Sequence, residues 1–179
     1  MLLFQLLCTI LSLSSAWASG SLLRWSWALT FFASAVNALM YFSVQRYGHA
    51  FLDVIYMVCC LVGFSLWSGP NLMTYRTKPK EAAMWLLTGL AAIILCAYIL
   101  EYSSSKDPWI DSFSLVSGVI GIMMMSLLRI EQWGIWMIHD TFNLVLSLRA
   151  GLYLIALKQL GYLLLAYRGY KIWQAQLSI

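Results

Sequence analysis

One apolar run, residues 132 to 148, carries Trp133, Trp136, Asp140, Asn143 and Ser147. Spacings of three, four, three and four put all five on one face of a helix. Two indoles beside a carboxylate and an amide make a binding surface, not a bond-breaking one. Tryptophan faces attract organic cations by about 0.5 to 2 kcal/mol each. The carboxylate supplies a counter-charge, or an acceptor for ligand hydroxyls. The sequence shows no nucleophile and base at workable spacing and no phosphate loop. The reading is therefore a non-enzyme with no catalytic residues, no cofactor and no metal. His139 lies at the edge of the stripe; with His49 as the sole other histidine, it reads as a packed or hydrogen-bonded side chain rather than a metal ligand.

The solvent around this stripe follows from composition. Of 179 residues, 62% are hydrophobic and 10% charged, against roughly a quarter charged in ordinary globular domains. Seven runs of nearly bilayer-spanning length can be cut, near 2–18, 24–43, 49–68, 82–101, 110–128, 132–148 and 151–173. The fold class is all-α integral membrane protein, a single transmembrane domain of seven helices in contact with lipid. "AWA" at 16–18 looks like a signal cleavage site, but no Lys or Arg precedes the apolar core before it. Cys8, Cys59, Cys60 and Cys96 lie in apolar runs without paired spacing and read as free thiols.

Basic residues set the orientation. Arg24, Arg76, Lys78, Lys80, Arg129, Arg168 and Lys171 share one side, which the positive-inside rule makes cytoplasmic; Arg46, Lys106 and Arg149 lie on the other. The expectation is a multi-pass inner (plasma) membrane protein with its N-terminus outside and its C-terminus inside. The net charge of +4 is then a matter of topology and does not imply nucleic-acid binding.

Sliding the chain by 106 residues aligns Trp27 with Trp133, Asn37 with Asn143, Tyr47 with Tyr153, Ala50 with Ala156, Tyr56 with Tyr162, Gly63 with Gly169 and Trp67 with Trp173. Chance matches in an apolar chain would be mostly Leu and Ala. The offset lays runs one to three on runs five to seven and leaves the fourth as a linker. Repeat one covers residues 1–77, the linker helix 78–106 and repeat two 107–179. Three spans plus one is an even number, so the copies run parallel, a 3+1+3 arrangement. The repeat also argues against removal of run one, whose counterpart would be left unmatched.

The second run repeats the polar stripe as Trp27, Thr30, Ser34, Asn37 and Tyr41. Runs three and seven carry Asp53, Tyr56, Cys60, Gly63, Trp67 and Gln159, Tyr162, Ala166, Gly169, Trp173. Polar groups facing lipid would lack partners, so the stripes should turn inward. Gly63 and Gly169 suit close helix packing, and Trp67 and Trp173 suit packing and interface anchoring. Asp at a helix centre costs about 2.5 to 3.5 kcal/mol on insertion scales. Lys158 has a structural reading, an ion pair with Asp53 or Asp140. Asp140 and Trp136 replace Ser34 and Thr30 of the first repeat. Shared residues suggest architecture, and these two suggest ligand reading.

The motif Trp133-x-x-Trp136-x-x-x-Asp140 on the sixth span, followed by "GLYLIALKQLGYLLLAYRGYKIW", resembles the PnuC-type vitamin transporters, and "NALMYFSVQRYGHAFLDVIYMVCCLVGFSLW" resembles their matching first repeat. The resemblance covers essentially the whole chain. It implies a SWEET-like architecture, a homo-oligomer that is a trimer, and facilitated diffusion drawn forward by phosphorylation inside the cell. The implied substrate is a small-molecule vitamin, nicotinamide riboside first, with thiamine or riboflavin as relatives' substrates. By position, Trp133 and Trp136 would flank an aromatic ring and Asp140 its polar or cationic part. The substrate-binding set is thus Trp133, Trp136, Asp140, Asn143, Asn37, Gln159 and Tyr56, the last four resting more on helical spacing. Two rivals are a SWEET-like sugar carrier, against which Asp140 and the confinement of the prolines to loops count, and a membrane scaffold whose aromatic stripes bind partner helices.

Overall fold

The computed structural model describes residues 2–43, 47–69, 72–102, 108–149 and 153–177, without the side chains of residues 2–5, 40, 41, 43, 47–49 and 146. The side chains of Tyr41, Tyr47 and His49, and the whole of Arg46, Pro70, Lys106 and Asp107, lie outside the described residues.

Seven helices follow the seven apolar runs: α1 (Leu2–Gly20), α2 (Ser26–Ser43), α3 (Tyr47–Leu66), α4 (Pro79–Tyr102), α5 (Pro108–Ser126), α6 (Gln132–Arg149) and α7 (Tyr153–Ala175). Proline opens α4 and α5, where its missing N–H is harmless and its fixed φ suits the first turn. Apolar side chains such as Phe32, Leu39, Leu61, Leu87, Ile138 and Leu164 are exposed, while Asp53, Asp140, Gln159 and several serines are buried. That inversion suits hydrocarbon solvent, since a water-soluble monomer rarely exposes so much contiguous apolar surface. α4 and α5 qualify as spans by length and composition alone. α6 and α7 are the least apolar of the seven, because the polar residues they carry face one another.

Each repeat packs as a three-helix unit, α1–α2–α3 and α5–α6–α7, and the units exchange contacts: α7 lies on α1, and α3 on α5. α4 packs on α5. The repeat extends to backbone detail. Leu22 and Leu128, 106 residues apart, both adopt φ of 56°, a left-handed conformation that normally calls for glycine. In the first turn Leu22 N–H donates to Ser19 O and Leu23 N–H to Ala18 O; in the second, Leu128 N–H donates to Met125 O and Arg129 N–H to Met124 O. These paired bonds close the ends of α1 and α5 in the same way. Both leucines pack on the aromatic core, which accounts for a leucine where glycine would be the easier choice.

That core is a layer of four tryptophans from the starts of α2 and α6 and the ends of α3 and α7. Trp27 meets Trp67 edge-on at 5.2 Å and 84°, Trp133 meets Trp173 at 5.4 Å and 86°, and Trp67 joins Trp173 across the middle at 5.9 Å. Trp67 Nε1 donates to Ser126 O at 3.3 Å, and Trp173 Nε1 to Ser19 O at 3.1 Å. Each repeat's last helix thereby donates to a carbonyl at the end of the other repeat's first helix. The sequence suggested packing and interface anchoring for Trp67 and Trp173. Both are fully buried, so packing is their role in the fold, with aromatic partners and a carbonyl acceptor around the indole.

Gly63 and Gly169 make room for this layer. A Cβ at Gly63 would lie 2.5 Å from the Trp27 ring, and one at Gly169 would lie 2.5 Å from Trp133. Gly169 also lets α7 cross α1 closely, since a Cβ on Gly20 would stand 3.1 Å from its Cα. Gly63→Ala and Gly169→Ala are each expected to destabilise by roughly 1–3 kcal/mol through overpacking. Thermal unfolding of the two variants in detergent should show losses of similar size; a neutral result at both would remove the glycines from this role.

A strap after α3 ties the repeats together on the same side. Thr74 Oγ1 donates to Trp173 O at 2.7 Å, Tyr75 N–H to Leu128 O at 2.9 Å, and Thr77 N–H and Oγ1 both donate to Glu131. Arg129 pairs with Glu81 of α4 at 3.0 Å. The turns holding Arg24 and Arg129, the strap with Arg76, and the end of α7 with Lys171 are thus gathered on one face.

Candidate functional site

Beside the tryptophan layer lies a cavity of about 290 Å³. Its walls come from α1, α2, α3, α5, α6 and α7, so both repeats build it and α4 contributes nothing. Trp133, Trp136, Asp140, Asn37, Gln159 and Tyr56 all line it. Asn143, one turn beyond Asp140, is half-buried and lies outside the cavity wall. The pseudo-symmetric Asn37 does reach it, held by a 3.0 Å bond from the Cys8 thiol to its Oδ1.

Asp140 is 5% exposed, and among the described residues it makes no hydrogen bond and no ion pair. The cation acting on it through space is Lys158 of α7. Lys158 also acts on Asp53, yet it pairs with neither carboxylate within 4 Å. The direct ion pair read from the sequence does not form, because three chains of side-chain atoms converge on open space rather than on each other. Asp53 is better supported, with Ser34 and Asn37 of α2 in hydrogen-bonding reach. Lys158 has Tyr162 as an aromatic neighbour at 5.8 Å.

Two polar atoms on cavity-lining residues, Gln159 Oε1 and Trp133 Nε1, are fully buried without a partner among the described residues. An unsatisfied buried acceptor and donor each cost about 1–3 kcal/mol. The cavity presents the Asp140 carboxylate, the Lys158 ammonium and the indoles of Trp133 and Trp136.

His139 lines the cavity as well, its Nδ1 2.9 Å from Ser117 Oγ and its ring edge-on to Trp136 at 5.5 Å and 84°. The hydrogen-bonded reading of this histidine is what the structure contains. The sequence argument missed the contribution of α1, whose Ser12, Ser15 and Ser19 all line the cavity. Their spacing of three and four is the same signal that exposed the other stripes. Within that wall Ser15 bonds Thr30 of α2, and Ser12 is in hydrogen-bonding reach of Tyr162.

A family model described as the nicotinamide mononucleotide transporter matches residues 2–175. The chain belongs to that family. Within the nicotinamide mononucleotide transporter family it is similar to the nicotinamide riboside transporter PnuC of Neisseria mucosa, 26% identical over 123 residues that make up 63% of this chain and 47% of the relative. It is also similar to the nicotinamide riboside transporter PnuC of Escherichia coli, 22% identical over 166 residues, 75% of this chain and 70% of that one. The chain thus spans about half the length of the Neisseria relative. Among solved structures, the crystal structure of the vitamin B3 transporter PnuC superposes with a TM-score of 0.81 over 95% of this chain and 80% of that one, at 16% identity. The likeness establishes the seven-helix membrane fold expected from the repeats.

Proposed function

We propose that this chain carries nicotinamide riboside across the membrane by facilitated diffusion, with phosphorylation inside the cell preventing its return. The observation that carries this reading is Asp140: a carboxylate 5% exposed, lining a cavity, and in no hydrogen bond or close ion pair among the described residues, with Lys158 acting on it only from a distance. A buried charge without a close partner is unfavourable. A ligand bearing a positively charged planar ring relieves it. Trp136 and Trp133 supply aromatic surface for that ring, and Gln159 Oε1 and Asn37 supply acceptors for ribose hydroxyls. The names of the Neisseria and Escherichia relatives support the same substrate.

The two repeats, residues 1–77 and 107–179, would rock about the cavity they share while α4 links them. The gathered basic residues of the strap side support a cytoplasmic C-terminus. Association into a trimer would use the exposed apolar face of α4, which includes Leu87, Leu90 and Ile94.

The purified protein in liposomes should take up labelled nicotinamide riboside faster than empty liposomes do, and Trp136→Ala and Asp140→Ala should abolish the difference. Thiamine, riboflavin and glucose run in parallel. No vitamin flux above the empty control sinks the transport reading; flux that persists in both variants sinks the site. Uptake of glucose in place of nicotinamide riboside would transfer the assignment to a sugar carrier.

A further inference from the structure

Among the places where the two repeats build the cavity wall differently is the contact between their first and second helices. In repeat one, Ser15 of α1 hydrogen-bonds Thr30 of α2. The equivalent positions in repeat two, 106 residues on, are Gly121 of α5 and Trp136 of α6. There the indole lies directly against the glycine: a Cβ on Gly121 would stand 2.9 Å from Trp136 Cε2, 3.0 Å from Cζ2 and 3.2 Å from Nε1. The same turn of α5 does this again. Gly118, the equivalent of Ser12, is in contact with the Tyr56 hydroxyl, whereas Ser12 is in hydrogen-bonding reach of Tyr162, the equivalent of Tyr56. One residue earlier, Ser117 holds His139, whose ring abuts Trp136.

Helix α5 thus replaces two hydroxyls with two hydrogens, one against Tyr56 of α3, which has a tyrosine as its counterpart, and one against Trp136, which stands where the first repeat has a threonine. The loss of two serines by itself would leave gaps; the indole and the phenol fill them. We infer that Gly121 is the positioning residue that sets the width of the aromatic slot, by letting Trp136 lie back against α5. Any side chain at 121 pushes the indole toward the cavity, because His139, fixed by Ser117, blocks its movement along the helix. This inference rests on the substrate reading above for its ligand, and on geometry alone for the seat.

The test is a double-mutant cycle with nicotinamide riboside as the probe, read by isothermal calorimetry on detergent-solubilised protein. Gly121→Ala should weaken binding about tenfold, the cost of modest overpacking expressed as affinity. In a Trp136→Phe background, where the smaller ring leaves room for a methyl group, the same change should cost almost nothing. An equal loss in both backgrounds, or no loss in the first, overturns the seat. The melting temperatures of the four proteins without ligand provide the second reading: Gly121→Ala should lower the parent's and leave that of the Trp136→Phe variant unchanged. Failure of the parent to bind nicotinamide riboside would count against the substrate alone, since the melting cycle still decides the seat. Should the single variant not fold, the comparison of Gly121→Ala/Trp136→Phe with Trp136→Phe remains, and a loss there overturns the proposal.

Discussion

Asp140→Asn is expected to weaken binding of nicotinamide riboside by about 30-fold or more, because removing one member of a buried charge pair costs at least roughly 2 kcal/mol. The substitution keeps the shape of the side chain and one acceptor oxygen, so packing is held nearly constant. Charge is the quantity that changes. A neutral analogue, with an uncharged ring in place of the pyridinium, should lose little by the same substitution. Comparing dissociation constants of both ligands for both proteins separates counter-charge from hydrogen bonding. Equal losses for the charged and neutral ligands would show that Asp140 reads hydroxyls, and would withdraw the argument for a cation. A gain in stability without ligand is expected alongside, since asparagine relieves the uncompensated buried charge.

Trp173→Ala should have the largest effect on folding of any single change on the layer side. Its ring is fully buried and touches Trp67 and Trp133, and its N–H supplies the bond to Ser19 O. Truncating a buried tryptophan costs about 3–5 kcal/mol. Trp67 makes a similar set of contacts, with Trp27 in place of Trp133 and the carbonyl of Ser126, one residue beyond the equivalent of Ser19, as acceptor. Trp67→Ala should therefore cost about as much. Apparent melting temperatures in one detergent, supported by denaturant titration, check both. Parental stability in either variant would mean the layer is not what joins the repeats.

The same layer sharpens the role of Trp133. Its counterpart Trp27 makes the same contacts, and each ring rests on an equivalent glycine, Gly169 or Gly63. Symmetry therefore assigns Trp133 first to the architecture, although one edge faces the cavity. Trp136, with a threonine at the equivalent position, is the cavity-lining indole that this symmetry leaves unassigned to the architecture.

The sequence by itself determined the solvent, the number of helices, their ends within three residues, the 106-residue repeat and the inward face of α6. All of these follow from periodicity and composition, which are local properties of the chain. It also separated Asp140 and Trp136 from their surroundings, since asymmetry between two copies can be counted without coordinates. Tertiary structure decided the rest. Lys158 stands apart from both carboxylates, Asn143 misses the cavity wall while Asn37 reaches it, and Trp67 and Trp173 meet each other in the buried core. Gly121 is silent in the sequence because it differs from Ser15 by the lack of a side chain. Only when α5 lies against α6 does that gap become the place where an indole fits. Such outcomes depend on how helices distant in sequence are rotated and spaced against one another, by fractions of a side chain, and no helical wheel contains that information.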